Sequence, residues 1–281
     1  MNDAELLSQI LAENPFTTEV VNGWRNQLQR LCNADYEEVS NASYLLPCDV
    51  DFIERNRERA DIKTNIPPQP YIGSPLADIW YIQINPSFSM PDYYDMVSIS
   101  DNIKANVVRE CGDVNFHGNT NLYERQNLLL NQYLLNVDGD YPFYPIAPSF
   151  NTLDYNGHKA LGMYRWWMRS LCVNNRDAIF ADVFQNGNTQ CEKANELGRR
   201  FFVLEFFPYH SKQFRVNRDD YKKSPYYGFV RRMVDYAMQM NKTILFRSTR
   251  ECELLNCNQY GNANVARCAR RVALINFNFN L

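Results

Sequence analysis

The apolar positions near the start of the chain repeat with a helical period. Residues 4–13 place leucines and an isoleucine on one face of a helix, and residues 17–32 repeat the pattern. The stretch that follows is irregular, and the prolines between residues 67 and 75 cannot continue a helix or a central strand. We therefore expect two helices, followed by a linker or covering loop that ends near residue 75.

Beyond that loop, short apolar runs alternate with helical patterns. The runs are rich in β-branched and aromatic residues and are bounded by turn residues, which predicts buried strands. These strands are predicted at residues 78–84, 178–184, 201–207 and 243–246, with a weaker one at 264–268. Helices are predicted at residues 121–137, 157–172 and 224–240. The alternation indicates an α/β fold with a mainly parallel sheet of four to five strands, covered on both sides.

Polar residues follow two of these strands, at the end where ligands bind in such sheets. Pro86 forces a sharp turn that exposes the Asn85 amide, although Asn-Pro is also ordinary turn chemistry. The strand at 201–207 carries Glu205 within an apolar run and leads into Pro-Tyr-His-Ser-Lys. Burying a carboxylate is costly unless it is hydrogen-bonded. We interpret Glu205 as the polar anchor of a pocket, the alternative being a residue that faces solvent.

Arginines follow the later strands. Arg247 and Arg250 come after the fourth strand, and Arg270 and Arg271 lie near the end of the chain. The guanidinium group matches the geometry of phosphate oxygens, although a solvated rim of salt bridges has the same composition. Three strand ends would thus bring asparagine, glutamate with histidine, and arginine into one crevice.

The segment at residues 84–89, Ile-Asn-Pro-Ser-Phe-Ser after a buried strand, resembles the first motif of the uracil-DNA glycosylase superfamily. The mismatch-specific and single-strand-selective branches carry Gly-(Ile/Met)-Asn-Pro-Gly there. The segment at 206–211, the helix and strand after it, and a last strand keep the family's order. Residues 142–145, 207–212 and 270–281 are also similar to uncharacterised bacterial proteins of that superfamily.

The resemblance covers about residues 75–281. It implies a uracil-DNA glycosylase-like, three-layer α/β/α domain over residues 76–281, with residues 1–75 as a helical or irregular extension packed on it. It also implies an activity in which a base is flipped out of a nucleic-acid stack and its N-glycosidic bond is hydrolysed.

The resemblance implies a role for each candidate residue. Asn85 would hold the attacking water, and His210 could supply a donor to the anion that develops on the base. The candidates for base binding are Phe88, Phe143, Tyr144 and Glu205. For Phe143 and Tyr144, packing in the core is the alternative. The candidates for phosphate or nucleic-acid contact are Ser87, Ser211, Lys212, Arg247, Arg250, Arg270 and Arg271.

Two departures from the family pattern change the expected specificity. Glu205 stands where the glycosylases use asparagine, and a carboxylate accepts hydrogen bonds only, which suits guanine's edge better than uracil's. The His-Pro-Ser motif after the last strand is replaced by Ala273-Leu274-Ile275-Asn276. We therefore expect a base other than uracil. Three classes stay open: a glycosylase-like hydrolase, a non-catalytic nucleic-acid or nucleotide-binding module, and an interaction protein on the same fold.

Charge and composition limit the partners. Residues 1–198 carry a net charge of −12 and residues 199–281 carry +9, which indicates a basic face for a polyanion or mutual attraction of the two segments. Eight cysteines without a CxxC pair and three histidines give no metal pattern. No apolar run reaches the roughly 20 residues of a membrane span, and no secretory signal is evident. We expect a cytoplasmic protein without cofactor, metal or membrane contact, which binds nucleic acid, DNA in preference to RNA, or a nucleoside or nucleotide.

Overall fold

A computed structural model describes residues 3–31, 36–86, 184–185, 188–189, 200–246, 255 and 265–267 of the chain. The helices of these ranges are α1 (Asp3–Ala12), α2 (Thr18–Leu31), α3 (Tyr36–Ser40), α4 (Val50–Ala60), α5 (Arg218–Tyr221) and α6 (Pro225–Gln239), with a 3-10 turn at Pro47–Asp49. The strands are β1 (Tyr71–Gly73), β2 (Ile79–Gln83), β3 (Phe184–Gln185), β4 (Asn188–Thr189), β5 (Phe201–Glu205), β6 (Thr243–Phe246) and β7 (Val265–Arg267). None of these helices is long and apolar enough to cross a lipid bilayer.

Five of the strands form one sheet in the order β1-β5-β2-β6-β7. The strands β5, β2, β6 and β7 are parallel, and β1 pairs antiparallel with β5 at one edge. The strands β3 and β4 form a separate two-stranded ladder. The prediction of an α/β chain with parallel strands is therefore confirmed.

Most predicted elements that fall on described residues are confirmed. The helices predicted at residues 4–13, 17–32 and 224–240 are α1, α2 and α6. The strands predicted at 78–84, 201–207, 243–246 and 264–268 are β2, β5, β6 and β7. The predicted helices at 121–137 and 157–172 lie outside the described residues. So does the predicted strand at 178–184, except for Phe184, which belongs to β3.

The prediction of an irregular stretch after α2 is wrong, because this stretch contains α4. Charged residues occupy most positions of α4, and the buried ones are Phe52, Ile53, Asn56 and Ala60. So narrow an apolar stripe gives little periodic signal. The helix ends at Asp61, which adopts the left-handed conformation and donates its N–H to the last turn.

The proline-rich segment before residue 75 is built into the sheet edge through β1, which the sequence pattern did not predict. Pro70 accepts a hydrogen bond from the Glu205 N–H (2.9 Å), and the Gln69 N–H donates to the Pro208 carbonyl (2.8 Å). Tyr71 is buried, and its hydroxyl accepts from the Asn14 side chain at 2.8 Å. An edge tolerates these prolines because one side of an edge strand needs no N–H donors. A domain boundary near residue 75 stays a prediction.

Gly73 in β1 lies too close to β5 to carry a side chain. Its φ is +93°, and a Cβ there would be 2.3 Å from the Phe201 carbonyl oxygen. We expect Gly73→Ala to lower the free energy of unfolding by about 2 kcal/mol, measured by urea denaturation. The control is Gly228→Ala in α6, where a Cβ would meet nothing within 4 Å and alanine is the better helix former. Equal stability of the two variants would contradict this account of the sheet edge.

Helix α6 covers one face of the sheet. It begins at Ser224, whose hydroxyl accepts from the Tyr226 N–H (3.2 Å), and Pro225 occupies its first turn. Trp80 of β2 contacts Tyr236 of this helix and Phe202 of β5, with ring centroids 6.2 and 4.5 Å apart. Together with α1, α2 and α4, these side chains form one core.

The opposite face of the sheet is buried as well. Tyr81, Val203 and Leu245 alternate with the residues that face α6, and each is 2% exposed or less. Buried side chains on both faces are typical of parallel sheets that are covered on both sides.

Candidate functional site

The carboxyl ends of β2 and β5 lie side by side, and the two segments that leave them stay paired. Gln83 is in register with Glu205. Beyond the strands, the Phe207 N–H donates to the Ile84 carbonyl (2.9 Å) and the Ser211 N–H donates to the Pro86 carbonyl (3.3 Å). The two paired segments carry a group of polar residues that we call the strand-end site: Gln83, Asn85, Glu205, His210 and Ser211.

Asn85 joins the two segments through its side chain. Its Nδ2 donates to the Ser211 carbonyl (2.7 Å), the Ser211 hydroxyl (3.0 Å) and the Pro86 carbonyl (3.2 Å). Asn85 is only 5% exposed and Ser211 is fully buried. Within the described part of the chain, the Asn85 Oδ1 atom accepts no hydrogen bond. The amide end of Asn85 is therefore structural, and its oxygen is the end that can receive a donor.

Glu205 is fully buried and is held by Gln83. The Gln83 Nε2 atom donates to the Glu205 Oε1 atom at 3.1 Å, and Gln83 itself is 2% exposed. The burial of Glu205 rules out the solvent-facing alternative. Gln83 was missed in the sequence, although its place at the end of β2 and the alternation of that strand could have indicated it.

His210 is also buried and lies against the segment that follows α4. It is 2% exposed, and its carbonyl accepts from the Lys63 N–H at 2.8 Å. Ser211 forms a β-bridge with Ile62 in the same segment. Lys212, the next residue along, is exposed. The segment 62–63 thus fixes the backbone that carries His210 and Ser211.

Tyr209 makes a polar contact that the sequence did not reveal. Its hydroxyl donates to Asp49 Oδ2 (2.8 Å) and accepts from the Leu46 N–H (3.2 Å). Burial raises the pKa of Asp49, and interactions with the Tyr209 and Ser224 hydroxyls oppose that rise. Burial, and then the charge of Asp49, hold the pKa of Tyr209 well above its usual value. Tyr209 therefore stays protonated and ties the strand-end segment to the start of α4.

The other predicted site residues lie outside the described residues. They are Ser87, Phe88, Phe143, Tyr144, Arg247, Arg250, Arg270 and Arg271. The predicted roles of these residues, and the crevice that they would complete, stay predictions. Asn85, Glu205, His210 and Ser211 are the predicted residues that the structure places at the ends of β2 and β5.

A cleft of about 610 Å³ lies between α4 and residues 61–65. Each wall carries an ion pair of its own, with Lys63 Nζ 2.7 Å from Asp61 in the segment 61–65 and an Arg57–Glu54 pair at 3.8 Å on α4. None of the predicted site residues lines this cleft. Its mixed charge favours neither anions nor cations.

The described part of the strand-end site offers hydrogen-bonding groups: two side-chain amides, a carboxylate, a hydroxyl and an imidazole. In the described ranges, no three His, Cys, Asp or Glu side chains come together as metal ligands. Comparison with known proteins adds no assignment, because no family model, no curated protein and no solved structure matches the chain. Any functional assignment therefore depends on the residues at these strand ends.

Proposed function

We propose that the chain binds a nucleic-acid base at the strand-end site, on a uracil-DNA glycosylase-like, three-layer α/β/α fold. The observation that carries the proposal is the pairing of Gln83 with Glu205, and of Asn85 with Ser211, at the ends of adjacent parallel strands. Ligands of such sheets bind beyond these ends, and planar amide and carboxylate groups read the edges of flipped bases. The three-layer arrangement is supported by the burial of side chains on both faces of the sheet.

The proposed partner is nucleic acid, DNA in preference to RNA, carrying a base other than uracil. A carboxylate at position 205 supports this choice of base, because it accepts hydrogen bonds and cannot donate them. The basic charge of residues 199–281 supports a polyanionic partner.

The second candidate function is hydrolysis of the N-glycosidic bond. The orientation of Asn85 favours it, because an amide that donates to Ser211 turns its oxygen away, where that oxygen can accept from a water molecule. The water oxygen would bond to the sugar carbon while the bond from that carbon to the base nitrogen breaks. The electron pair of the broken bond stays on the base, and a donor such as His210 would stabilise the resulting negative charge. The proton that the attacking water loses ends on the departing base, so the products are the sugar hydroxyl and the neutral base.

A combined release and binding assay tests both functions. The full chain is incubated with single strands and duplexes that each carry one modified or mismatched base, and both the freed base and the bound oligonucleotide are measured. Release by the wild type that is lost in Asn85→Ala but kept in Ser211→Ala supports hydrolysis. The Ser211→Ala variant is the matched control, because it keeps the carbonyl to which Asn85 donates. Binding without release identifies a non-catalytic module, and absence of both overturns the proposal.

The basic residues near the end of the chain give a second check on binding. We expect Arg270→Glu combined with Arg271→Glu to weaken oligonucleotide binding at least tenfold and to flatten its dependence on salt, because each phosphate contact releases counterions. Affinity measured as a function of salt concentration checks this. Unchanged affinity and salt dependence would remove these arginines from the interface.

A further inference from the structure

We infer that residues 212–218, which follow the strand-end site, bind the sugar-phosphate backbone of a nucleic acid. We call them the basic segment, and its cations are Lys212, Arg215 and Arg218. Lys212 is one of the residues that the sequence predicts for phosphate contact, and the structure adds the two arginines. The inference rests on the proposed function and extends it: the base lies at the strand ends, and the phosphates beside that base lie on the basic segment.

The basic segment begins at the strand-end site and runs along α4. Ser211, the residue before it, accepts from the Asn85 side chain (2.7 Å) and forms a β-bridge with Ile62, just beyond the end of α4. Near its other end, the Asn217 N–H donates to the Asn56 Oδ1 atom within α4 (3.2 Å). A segment of this length spans at most about 25 Å, which matches roughly seven nucleotides of one strand. Its cations are therefore within reach of the phosphates on either side of a base bound at the strand ends.

Buried side chains hold the backbone of the basic segment in place. Phe214 and Val216 are buried and alternate with exposed residues. The ring of Phe214 packs against the rings of Phe206, Phe207 and Tyr221, with centroids 5.6, 5.6 and 6.0 Å away. The exposed side chains thus project from a fixed backbone, so binding has to order only their flexible ends.

The positive charge of the basic segment is not neutralised within the described part of the chain. Its three cations are exposed, and none of them forms an ion pair with the residues that the structure describes. The acidic residues just beyond the segment have other partners: Asp219 pairs with Lys222 at 3.3 Å, and Asp220 pairs with Lys223 at 3.0 Å and Arg55 at 4.0 Å. Three cations are therefore available to an anion, and guanidinium and ammonium groups are the usual partners of phosphate oxygens.

The other side chains of the basic segment favour a nucleic acid over a membrane or an acidic protein. Gln213 and Asn217 are exposed, and their amides can donate to phosphate and sugar oxygens. The apolar residues of the segment, Phe214 and Val216, are both buried. A lipid surface is bound by exposed apolar side chains that enter it, and protein interfaces centre on aromatic or apolar anchors. The basic segment exposes neither, whereas polar and cationic groups beside a base site suit a nucleic-acid backbone.

The test removes the two arginines and measures how binding depends on salt. The full chain and the Arg215→Gln, Arg218→Gln double variant are titrated with a fluorescent oligonucleotide at several salt concentrations. Each phosphate contact contributes about 0.7–0.9 to the slope of log affinity against log salt concentration, so we expect the slope to fall by about 1.5 and the affinity to fall at least about tenfold. Both arginines are exposed, so we expect the variant to unfold at the same urea concentration as the wild type.

A matched control removes the same charge at the opposite end of the sheet. Arg200→Gln combined with Lys242→Gln changes residues that directly precede β5 and β6, at the amino ends of these strands. We expect this variant to keep the wild-type slope. An equal fall in slope in both double variants assigns the effect to net charge and overturns the inference.

Further arms separate the inference from the proposed function. We expect the slope to change equally for oligonucleotides with any central base, because phosphate contacts carry no sequence information. If the wild type binds and the double variant keeps its slope and affinity, the inference is overturned and the proposed function stands. Absence of binding by the wild type contradicts the proposed function itself. A double variant that binds oligonucleotides normally but no longer binds phosphatidylserine vesicles assigns the segment to a membrane surface and also overturns the inference.

Discussion

Asn85→Asp is expected to lower the free energy of unfolding by about 3–5 kcal/mol. The substitution replaces Nδ2, which donates to the Ser211 carbonyl at 2.7 Å and to the Pro86 carbonyl at 3.2 Å, with a charged oxygen. At a position only 5% exposed, that oxygen would face two carbonyl oxygens with little water to screen it. Urea denaturation monitored by tryptophan fluorescence at neutral pH measures the loss.

Two further variants show whether the hydrogen bonds of Asn85 cause that loss. Asn85→Ala removes the donors without adding a charge, and we expect it to cost about 1–3 kcal/mol. Ser211→Ala removes one acceptor and keeps the shorter bond to the carbonyl, so it should cost about 1 kcal/mol. An Asn85→Asp variant as stable as Asn85→Ala would show that the amide does not face these carbonyls.

The structural role of Asn85 affects the test of its chemistry. An Asn85→Ala variant that releases no base has lost either a water-holding oxygen or the connection between the two strand-end segments. Ser211→Ala weakens that connection and leaves the Asn85 oxygen in place. Activity that survives in Ser211→Ala and is lost in Asn85→Ala therefore assigns the effect to the oxygen.

The sequence pattern predicted the helices and strands whose own residues strongly favour that structure. The strands β2, β5 and β6 are continuous apolar runs, and α6 has a serine cap, a proline in its first turn and a wide apolar face. Helix α4 was missed because its buried residues form a narrow stripe among charges, and β1 was missed because it has three residues. The order of the strands depends on contacts between distant segments, which no local pattern contains.

The sequence indicated some residues of the candidate site and missed others. The rule that ligands bind at the ends of parallel strands indicated Asn85 and Glu205, and both lie at the ends of adjacent strands. Gln83 was missed because a polar residue at the end of a strand is ordinary. Asp49 was missed because its partner, Tyr209, is 160 positions away and the residues around it carry no periodic pattern. Hydrogen bonds between such distant residues can be read only from the fold.

Tyr209→Phe is expected to lower the free energy of unfolding by about 3 kcal/mol at neutral pH. The change removes the donor to Asp49 Oδ2 (2.8 Å) and the acceptor of the Leu46 N–H (3.2 Å). Asp49 is 1% exposed and Tyr209 is fully buried, so water does not replace the lost bonds. A hydrogen bond to a charged group contributes about 1.5–3 kcal/mol, and an unsatisfied buried amide adds to the cost.

The cost of Tyr209→Phe should depend on pH in a defined direction. Burial raises the pKa of Asp49 in the folded state, so the folded state favours the protonated carboxyl. The stability that this preference contributes is complete below the ordinary aspartate pKa of about 3.9, and it is lost as the pH rises through the raised pKa. Removing the Tyr209 hydroxyl, which opposes the rise, moves the folded pKa higher still. The loss of unfolding free energy in Tyr209→Phe therefore grows as the pH passes the pKa of Asp49 in the wild type. It levels off above the higher pKa that Asp49 has in the variant.

In an Asp49→Asn background the same substitution should cost the same at every pH, because no carboxylate titrates there. A deficit that is independent of pH with Asp49 in place would mean that the Tyr209 hydroxyl does not stabilise the Asp49 carboxylate.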